Sequence, residues 1–176
     1  MPYQMPINRA ARYAFLIAID PDLGCLDEKG RKKGGSGVAI WSYADGRYVH
    51  HHYHRAMSLL RLCKGYLPSE TIIYVEAGWL NKGMHQRRKE ALPDGFATWH
   101  SEAKQGYMFQ EGVDTGANQG IGKTLVDMLE EMGFTVRLYH PTGKKWTPAD
   151  VKQFTGITAR LNQDVRDAIR IAFVNK

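Results

Sequence analysis

Two short apolar runs, each closed by a carboxylate, limit the folds that this chain can adopt. Residues 14–19 are followed by Asp20, and residues 71–75 are followed by Glu76. Runs of this length and composition predict buried strands. A charge inside a protein is costly unless it is paired or holds a metal ion. The pattern therefore predicts a sheet whose buried strands end in acids that need a partner.

The rest of the chain predicts a mixed α/β fold around these strands. Further strands are predicted over residues 36–42, 47–54 and 134–139, and helices over residues 56–64, 117–132, 147–155 and from residue 163. The order predicts a three-strand antiparallel meander plus parallel strands, with helices on both faces. Residues 1–176 are interpreted as one domain, with residues 1–12 as an N-terminal arm. Residues 77–113 have no clear period and are interpreted as an insertion or a DNA-contacting loop region.

Positive charge is concentrated near the end of the chain. The chain has 24 Lys and Arg against 18 Asp and Glu, a net charge of +6. Residues 134–176 hold eight of those cations against three acids. A basic surface favours a polyanionic partner, of which nucleic acid is the commonest. A solvated basic face is the alternative.

Cysteine use and hydropathy predict a cytoplasmic protein. Cys25 and Cys63 form no metal motif and no disulfide framework, which is typical of a reducing compartment. We find no signal-peptide pattern and no run of 18 apolar residues, so no membrane association is expected.

Two further acids open the last predicted helix. Asp164 and Asp167 are three residues apart and share one helix face. Each acid alone has an ordinary explanation: Asp20 suits a turn, Glu76 suits an exposed strand end, and acids in a first helical turn stabilise the dipole by ~0.3–1 kcal/mol each. Together they come from three segments that can meet at one sheet edge. Carboxylate oxygens suit Mg²⁺ or Mn²⁺, and two such ions support phosphodiester hydrolysis.

The order of these acids resembles that of the RuvC Holliday junction resolvases, within the RNase H-like (retroviral integrase-like) superfamily. The matching residues are Ile19-Asp20-Pro21, a following strand that contains glycine, Val75-Glu76 and Asp164-x-x-Asp167-Ala168. The glycines of residues 116–122 before a long helix, and Trp79 three residues after Glu76, also match. The resemblance extends over roughly residues 14–174.

The resemblance implies an RNase H-like nuclease domain, bacterial or phage-encoded, that cleaves branched DNA as a homodimer with two Mg²⁺ or Mn²⁺ ions. It implies Asp20, Glu76, Asp164 and Asp167 as metal ligands and catalytic residues. It also implies a basic residue near the scissile phosphate, for which Lys144, Lys145 and Lys152 are candidates, and Lys145 is taken as the catalytic one. The residues expected to contact DNA are Trp79, Lys82, Lys123, Lys144, Lys145 and Lys152.

Departures from the family keep other functions open. Asp22 stands where the family commonly has Gly, and residues 77–113 lengthen the region that would contact DNA and set junction geometry. The first alternative is a catalytically inactive nucleic-acid-binding module of the same fold. The second is a ribonuclease that acts on RNA–DNA hybrids.

Two other patterns carry weaker hypotheses. Residues 117–124 fit a loose form of the phosphate-binding P-loop, but no buried strand precedes them as that motif requires. His50, His52 and His54 share one face of a predicted strand. A transition-metal site is geometrically possible there, and a solvated polar face is the favoured interpretation.

Overall fold

The computed structural model describes residues 13–22, 24–26, 29, 32–81, 92–143 and 145–176. The predicted N-terminal arm lies outside the described residues, as do two of the expected DNA contacts, Lys82 and Lys144. No helix within the described ranges combines the length and the apolar character that a membrane span needs.

Seven strands and four α-helices form within these ranges. The strands are β1 (Phe15–Asp20), β2 (Cys25–Leu26), β3 (Lys32–Lys33), β4 (Ser36–Ser42), β5 (Arg47–Tyr53), β6 (Thr71–Glu76) and β7 (Thr135–Tyr139). The helices are α1 (Ala56–Cys63), α2 (Ser101–Glu131), α3 (Pro148–Thr155) and α4 (Gln163–Asn175). Apart from α2, the predicted elements agree with these bounds to within one residue. The short β2–β3 hairpin lies in a segment for which no strand or helix was predicted.

Five of the strands form one mixed sheet in the order β5-β4-β1-β6-β7. β5, β4 and β1 are antiparallel neighbours, whereas β1, β6 and β7 run parallel. The predicted meander and the predicted parallel strands are therefore confirmed.

Helices cover both faces of this sheet. Because side chains alternate along a strand, β1 sends Ile17 and Ile19 to one side and Leu16 and Ala18 to the other. The first pair packs in a core with α1 and α2, and the second pair packs in a core with α3 and α4. The edge where β1 and β6 end consequently lies between α2 on one side and α4 on the other.

The long helix α2 differs most from its prediction. It begins at Ser101, sixteen residues before the predicted start at residue 117. Its first half is largely exposed and so lacks the apolar period that marks a packed helix. Glycine also lowers helix propensity by about 1 kcal/mol per residue, and Gly106, Gly112 and Gly116 lie in this half. In the second half of α2, Leu125 and Leu129 are buried, whereas Met128 is 38% exposed.

Candidate functional site

Asp20 and Glu76 end two neighbouring parallel strands. β1 and β6 pair with Ile19 opposite Val75, so the acids that follow each of these residues lie side by side at the sheet edge. Ala18 and Tyr74 are paired across the two strands, and Asp20 and Glu76 each follow two residues later, so both acids point to the same face of the sheet as Ala18. Ala18 packs in the core beneath α4. The alternation of a strand therefore directs both carboxylates to the α4 side of the sheet.

A glycine lets the first turn of α4 reach this edge. Gly37 of β4 pairs with Asp20, and a Cβ atom added to Gly37 would lie 2.1 Å from the backbone oxygen of Asp164. Helix and strand backbones are thus in contact where any side chain would hold them apart. Asn162 caps the helix, because its side chain accepts a hydrogen bond from the backbone N–H of Val165 at 3.0 Å.

The pKa of Asp20 reflects the convergence of all four acids. Burial raises the pKa of Asp20 well above its ordinary value of 3.8, and the charges of Glu76, Asp167 and Asp164 raise it further, while Lys145 lowers it. Residues separated by more than 140 positions in the chain therefore act on one carboxyl group. This edge of the sheet forms a single electrostatic site, which we call the acid cluster: Asp20, Glu76, Asp164 and Asp167.

Glu76 carries an unsatisfied oxygen. Burial raises the pKa of this carboxyl, Lys145 and Arg170 lower it, and Asp167 raises it. Its Oε2 atom is buried and has no hydrogen-bond partner within the described part of the chain. A carboxylate oxygen in that state is unfavourable. Arg170 is 7% exposed and was missed in the sequence, although its position one turn after Asp167 on α4 could have indicated it.

Asp167 is bound from two directions. It is 1% exposed, Lys145 Nζ forms a salt bridge with its Oδ2 atom, and Gln163 Nε2 donates to its Oδ1 atom at 2.9 Å. Burial disfavours the Lys145 ammonium, but its hydrogen bond and charge interaction with Asp167, together with Asp20, leave its pKa raised. Lys145 therefore balances part of the negative charge of the acid cluster.

Asp164 faces a histidine that sequence reasoning did not assign to the site. His52 of β5 pairs with Gly37, and its Nε2 atom lies 3.6 Å from Asp164 Oδ2. The same nitrogen donates to the backbone oxygen of Gly35 at 3.1 Å. Burial raises the pKa of Asp164 and Asp22 raises it further, while His52 lowers it. The histidines that share one face of β5 could have indicated this contact, because Asp20, Gly37 and His52 are paired neighbours in one row across the sheet.

The favoured interpretation of the histidine run as a solvated face is wrong for His52 and His54. Both are half-buried, and their rings meet edge to face with centroids 4.7 Å apart. His54 Nδ1 donates to the backbone oxygen of Gly34 at 2.8 Å. These two side chains tie β5 to the loop that precedes β4.

A cleft of about 220 Å³ opens beside the acid cluster on the α2 side. Its walls are the strand ends, the turn after β6 and the middle of α2, formed by Asp20, Pro21, Glu76, Gly78, Trp79, Thr115, Asn118 and Gln119. The Trp79 ring packs against Gly122 of α2, where an added Cβ atom would lie 2.5 Å from Cζ3 of the indole. Trp79 thus lines the cleft and anchors its two walls to each other. The contribution of α2 was missed in the sequence because Thr115 precedes the predicted helix, and because no local pattern places Asn118 and Gln119 beside the strand ends.

Two of the other expected contacts are exposed lysines, and Lys82 and Lys144 lie outside the described residues. Lys123 is exposed on α2 and Lys152 is exposed on α3. Residues 117–124, the loose P-loop match, lie inside α2. A helix interior has no loop of free N–H groups to cradle a phosphate, so that interpretation is wrong.

The chemistry of the acid cluster fits a hard divalent cation. All its donors are carboxylate oxygens, and a cation would satisfy the unpaired Glu76 oxygen and relieve the mutual repulsion that raises the pKa of Asp20. In the described part of the chain, no three His, Cys, Asp or Glu side chains are already arranged to hold a metal ion. Lys145 instead supplies the positive charge at Asp167. A cation would therefore bind by drawing carboxylates that are already neighbours towards a common point.

Comparison with known proteins adds no family assignment. No protein-family model, no curated protein and no solved structure matches this chain significantly.

Proposed function

We propose that this chain is a metal-dependent endonuclease that cleaves branched DNA, with an RNase H-like fold and the active site at the acid cluster. The observation that carries the proposal is the convergence of four acids from three segments on one partly buried edge, in a chain of net charge +6. Buried like charges are unfavourable, so their collection at one point has a functional explanation: they hold cations that engage a phosphodiester.

The fold supports this proposal at the level of architecture. The RuvC resemblance implies a three-strand antiparallel meander, two further parallel strands and helices on both faces. The sheet of this chain is compatible with that arrangement. The acids lie at the ends of β1 and β6 and at the start of α4, the elements to which the resemblance assigns metal ligands. A homodimer, which the resemblance also implies, would present two such sites to two DNA strands.

The roles follow from the surroundings of each side chain. Asp20, with carboxylate neighbours from both β6 and α4, would hold Mg²⁺ together with Glu76 and one of Asp164 or Asp167. Bound Mg²⁺ would supply activation of the attacking water and stabilisation of the leaving oxygen. Lys145 is 60% exposed although its ammonium lies at the acid cluster, so it can contact a phosphate oxygen from solvent. Hydrolysis in this manner leaves 5′-phosphate and 3′-hydroxyl ends.

The direct test is cleavage by the Asp20→Asn variant. Wild-type protein and variant are incubated with a four-way junction, a flap, an RNA–DNA hybrid and a plain duplex in Mg²⁺ or Mn²⁺. We expect the variant to bind the junction normally and to lose cleavage by more than the ~10–100-fold that loss of a residue behind a metal ligand causes. Asp127→Asn, which alters an exposed acid on α2, is the matched control. Unchanged turnover in Asp20→Asn would refute the proposal, and preferential cleavage of the hybrid would convert it to a ribonuclease.

A second candidate function rests on the Lys145–Asp167 salt bridge. Lys145 already neutralises one of the acids. The alternative is therefore a nucleic-acid-binding module in which the Lys145 ammonium permanently takes the place of a metal ion. Titration of Mn²⁺ into the protein alone separates the two functions. A saturable site that disappears in Asp20→Asn favours the nuclease, whereas no saturable site favours the binding module.

A further inference from the structure

Arg166 lies between the two acids that open α4, and the proposed hydrolysis gives it no role. Its side chain is half-buried and donates three hydrogen bonds. Nε donates to the backbone oxygen of Trp146 at 3.0 Å, Nη1 donates to the backbone oxygen of Leu161, and Nη2 donates to Oε1 of Gln163. These acceptors are uncharged oxygens in the loop after β7, in the segment before α4 and in the first turn of α4. One guanidinium therefore joins three pieces of chain around the acid cluster.

The bond to Gln163 determines which end of that side chain faces Asp167. A guanidinium can only donate hydrogen bonds, so it turns the amide oxygen of Gln163 towards itself. The amide nitrogen is then directed away from Arg166, and it donates to Asp167 Oδ1 at 2.9 Å. Without Arg166 the amide is free to turn over and to place its oxygen against the carboxylate, where two acceptors cannot bond. Arg166 therefore makes Gln163 a donor to Asp167.

The bond to Trp146 holds the other partner of Asp167. Lys145 precedes Trp146, and its ammonium forms the salt bridge with Asp167 Oδ2. Because the Lys145 side chain is 60% exposed, its position depends on where the backbone beneath it is held. That backbone is fixed by the Arg166 bond to the Trp146 oxygen and by the buried Trp146 ring. Both described side-chain partners of Asp167 thus depend on Arg166.

We propose that Arg166 is a positioning residue of the acid cluster. Through Gln163 and through the backbone beside Lys145, it fixes the direction in which the Asp167 carboxylate faces the other acids. Two hydrogen bonds orient this carboxylate without using all of its lone pairs, so its oxygens keep the capacity to bind a cation. The catalytic consequence rests on the proposed nuclease function, whereas the positioning itself needs neither metal nor DNA.

The first test measures cleavage by Arg166→Lys and Arg166→Gln at a temperature where circular dichroism shows both variants folded. Lysine keeps the charge but lacks the planar fork that reaches several acceptors at once. We expect kcat on the four-way junction to fall by roughly 10–100-fold in both variants, the effect of losing a residue that orients a metal ligand. Junction binding in EDTA should be unchanged, and Arg160→Lys, at an exposed arginine, should cleave at the wild-type rate. Full activity of Arg166→Lys would show that only the charge matters and would overturn the proposal.

The second test requires no cleavage. An ammonium held in a salt bridge exchanges its protons slowly enough to give an NMR signal in lysine-labelled protein, and Lys145→Ala identifies the signal of Lys145. We expect this signal to weaken in Arg166→Gln and to persist in Gln163→Met, which removes only the donor to Asp167 Oδ1. Gln163→Met should nevertheless cleave more slowly than wild type. If neither Arg166 variant folds, Gln163→Met decides, because a wild-type rate there would overturn the proposal.

Together the two tests distinguish failure of this inference from failure of the proposed function. If the wild-type protein cleaves and the folded Arg166 variants cleave equally fast or keep the full Lys145 signal, the positioning role is wrong and the nuclease stands. If no substrate is cleaved but the signal weakens in Arg166→Gln, the positioning role stands and the nuclease is wrong. No cleavage together with an unchanged signal refutes both.

Discussion

The two ends of α4 handle charge in opposite ways. At its start, Asp164 and Asp167 join Asp20 and Glu76, and burial with like charges raises the pKa of Asp20. At its end, the Lys176 ammonium lies over aromatic rings, 4.0 Å from the centroid of Trp41, 4.8 Å from Phe173 and 5.0 Å from Tyr48.

The difference favours a stabilising role for the aromatic end and the proposed functional role for the acidic end. A cation over aromatic faces is a satisfied arrangement, and it needs no further ligand. Four acids with one ammonium and one guanidinium nearby keep an excess of negative charge, and Glu76 retains an unpaired oxygen. Unfavourable electrostatics that persist in a folded protein are typical of functional sites.

The largest expected effect tests how α4 docks at its charged end. Gly37→Ala places a methyl group 2.1 Å from the backbone oxygen of Asp164, and neither backbone can move away without disturbing the sheet. We expect a loss of about 3 kcal/mol or more in the free energy of unfolding, at the upper end of overpacking effects, measured by urea denaturation. Gly106→Ala, where an added Cβ meets nothing within 4 Å, should instead stabilise the protein by about 0.5–1 kcal/mol. Equal effects of the two substitutions would mean that the close approach at Gly37 is not required.

Removal of the ammonium from the acid cluster should give the next largest effect. Lys145→Ala leaves Asp167 with only Gln163 as a described partner. We expect a loss of about 1–2 kcal/mol, below the ~3–5 kcal/mol of a fully buried pair because Lys145 is 60% exposed. Lys152→Ala, on an exposed lysine of α3, is the control and should change stability little. A Lys145→Ala protein as stable as the control would show that the salt bridge contributes nothing.

The raised pKa values predict a pH effect of the opposite sign to that of ordinary salt-bridged acids. Asp20 keeps its proton in the folded chain above pH 3.8, the ordinary pKa at which the unfolded chain loses it. The folded state therefore binds more protons in that window, and stability falls as pH rises through it. We expect Asp20→Asn to raise the melting temperature of the metal-free protein at pH 7 but not at pH 3, and Mg²⁺ to stabilise only the wild-type protein. A variant less stable than wild type at pH 7 would contradict this account.

The smallest expected effect lies at the aromatic end of α4. Lys176→Met keeps an apolar chain over the rings and removes the charge, so only the cation–π contribution of about 0.5–1 kcal/mol should be lost. The loss of stability should depend little on pH between 5 and 8, and the substitution should leave the proposed DNA cleavage unchanged. A reduced cleavage rate in a variant that remains fully folded would show that the two ends of α4 are coupled.

Much of the fold could be predicted because its signals are local. The apolar runs before Asp20 and Glu76 gave the central strands, and Thr147 before Pro148 gave the start of α3, where a capping box forms with Asp150. The first half of α2 could not be predicted, because an exposed helix that contains glycines has neither an apolar period nor high propensity. The interactions of His52 and Arg170 were missed for a different reason: each depends on a residue of another element.

The sequence by itself determined where most of the strands and helices form and that an acid ends β1 and β6 and opens α4. Hydrophobic periodicity and capping act within a few residues, so they can be recognised along the chain. Only the tertiary structure decided that these acids share one edge, that Lys145 and His52 face them, and that α2 supplies the second wall of the cleft. Burial and Coulomb energy depend on distances through space, and those were set by backbone contacts at Gly37 and Gly122 that no local pattern specifies.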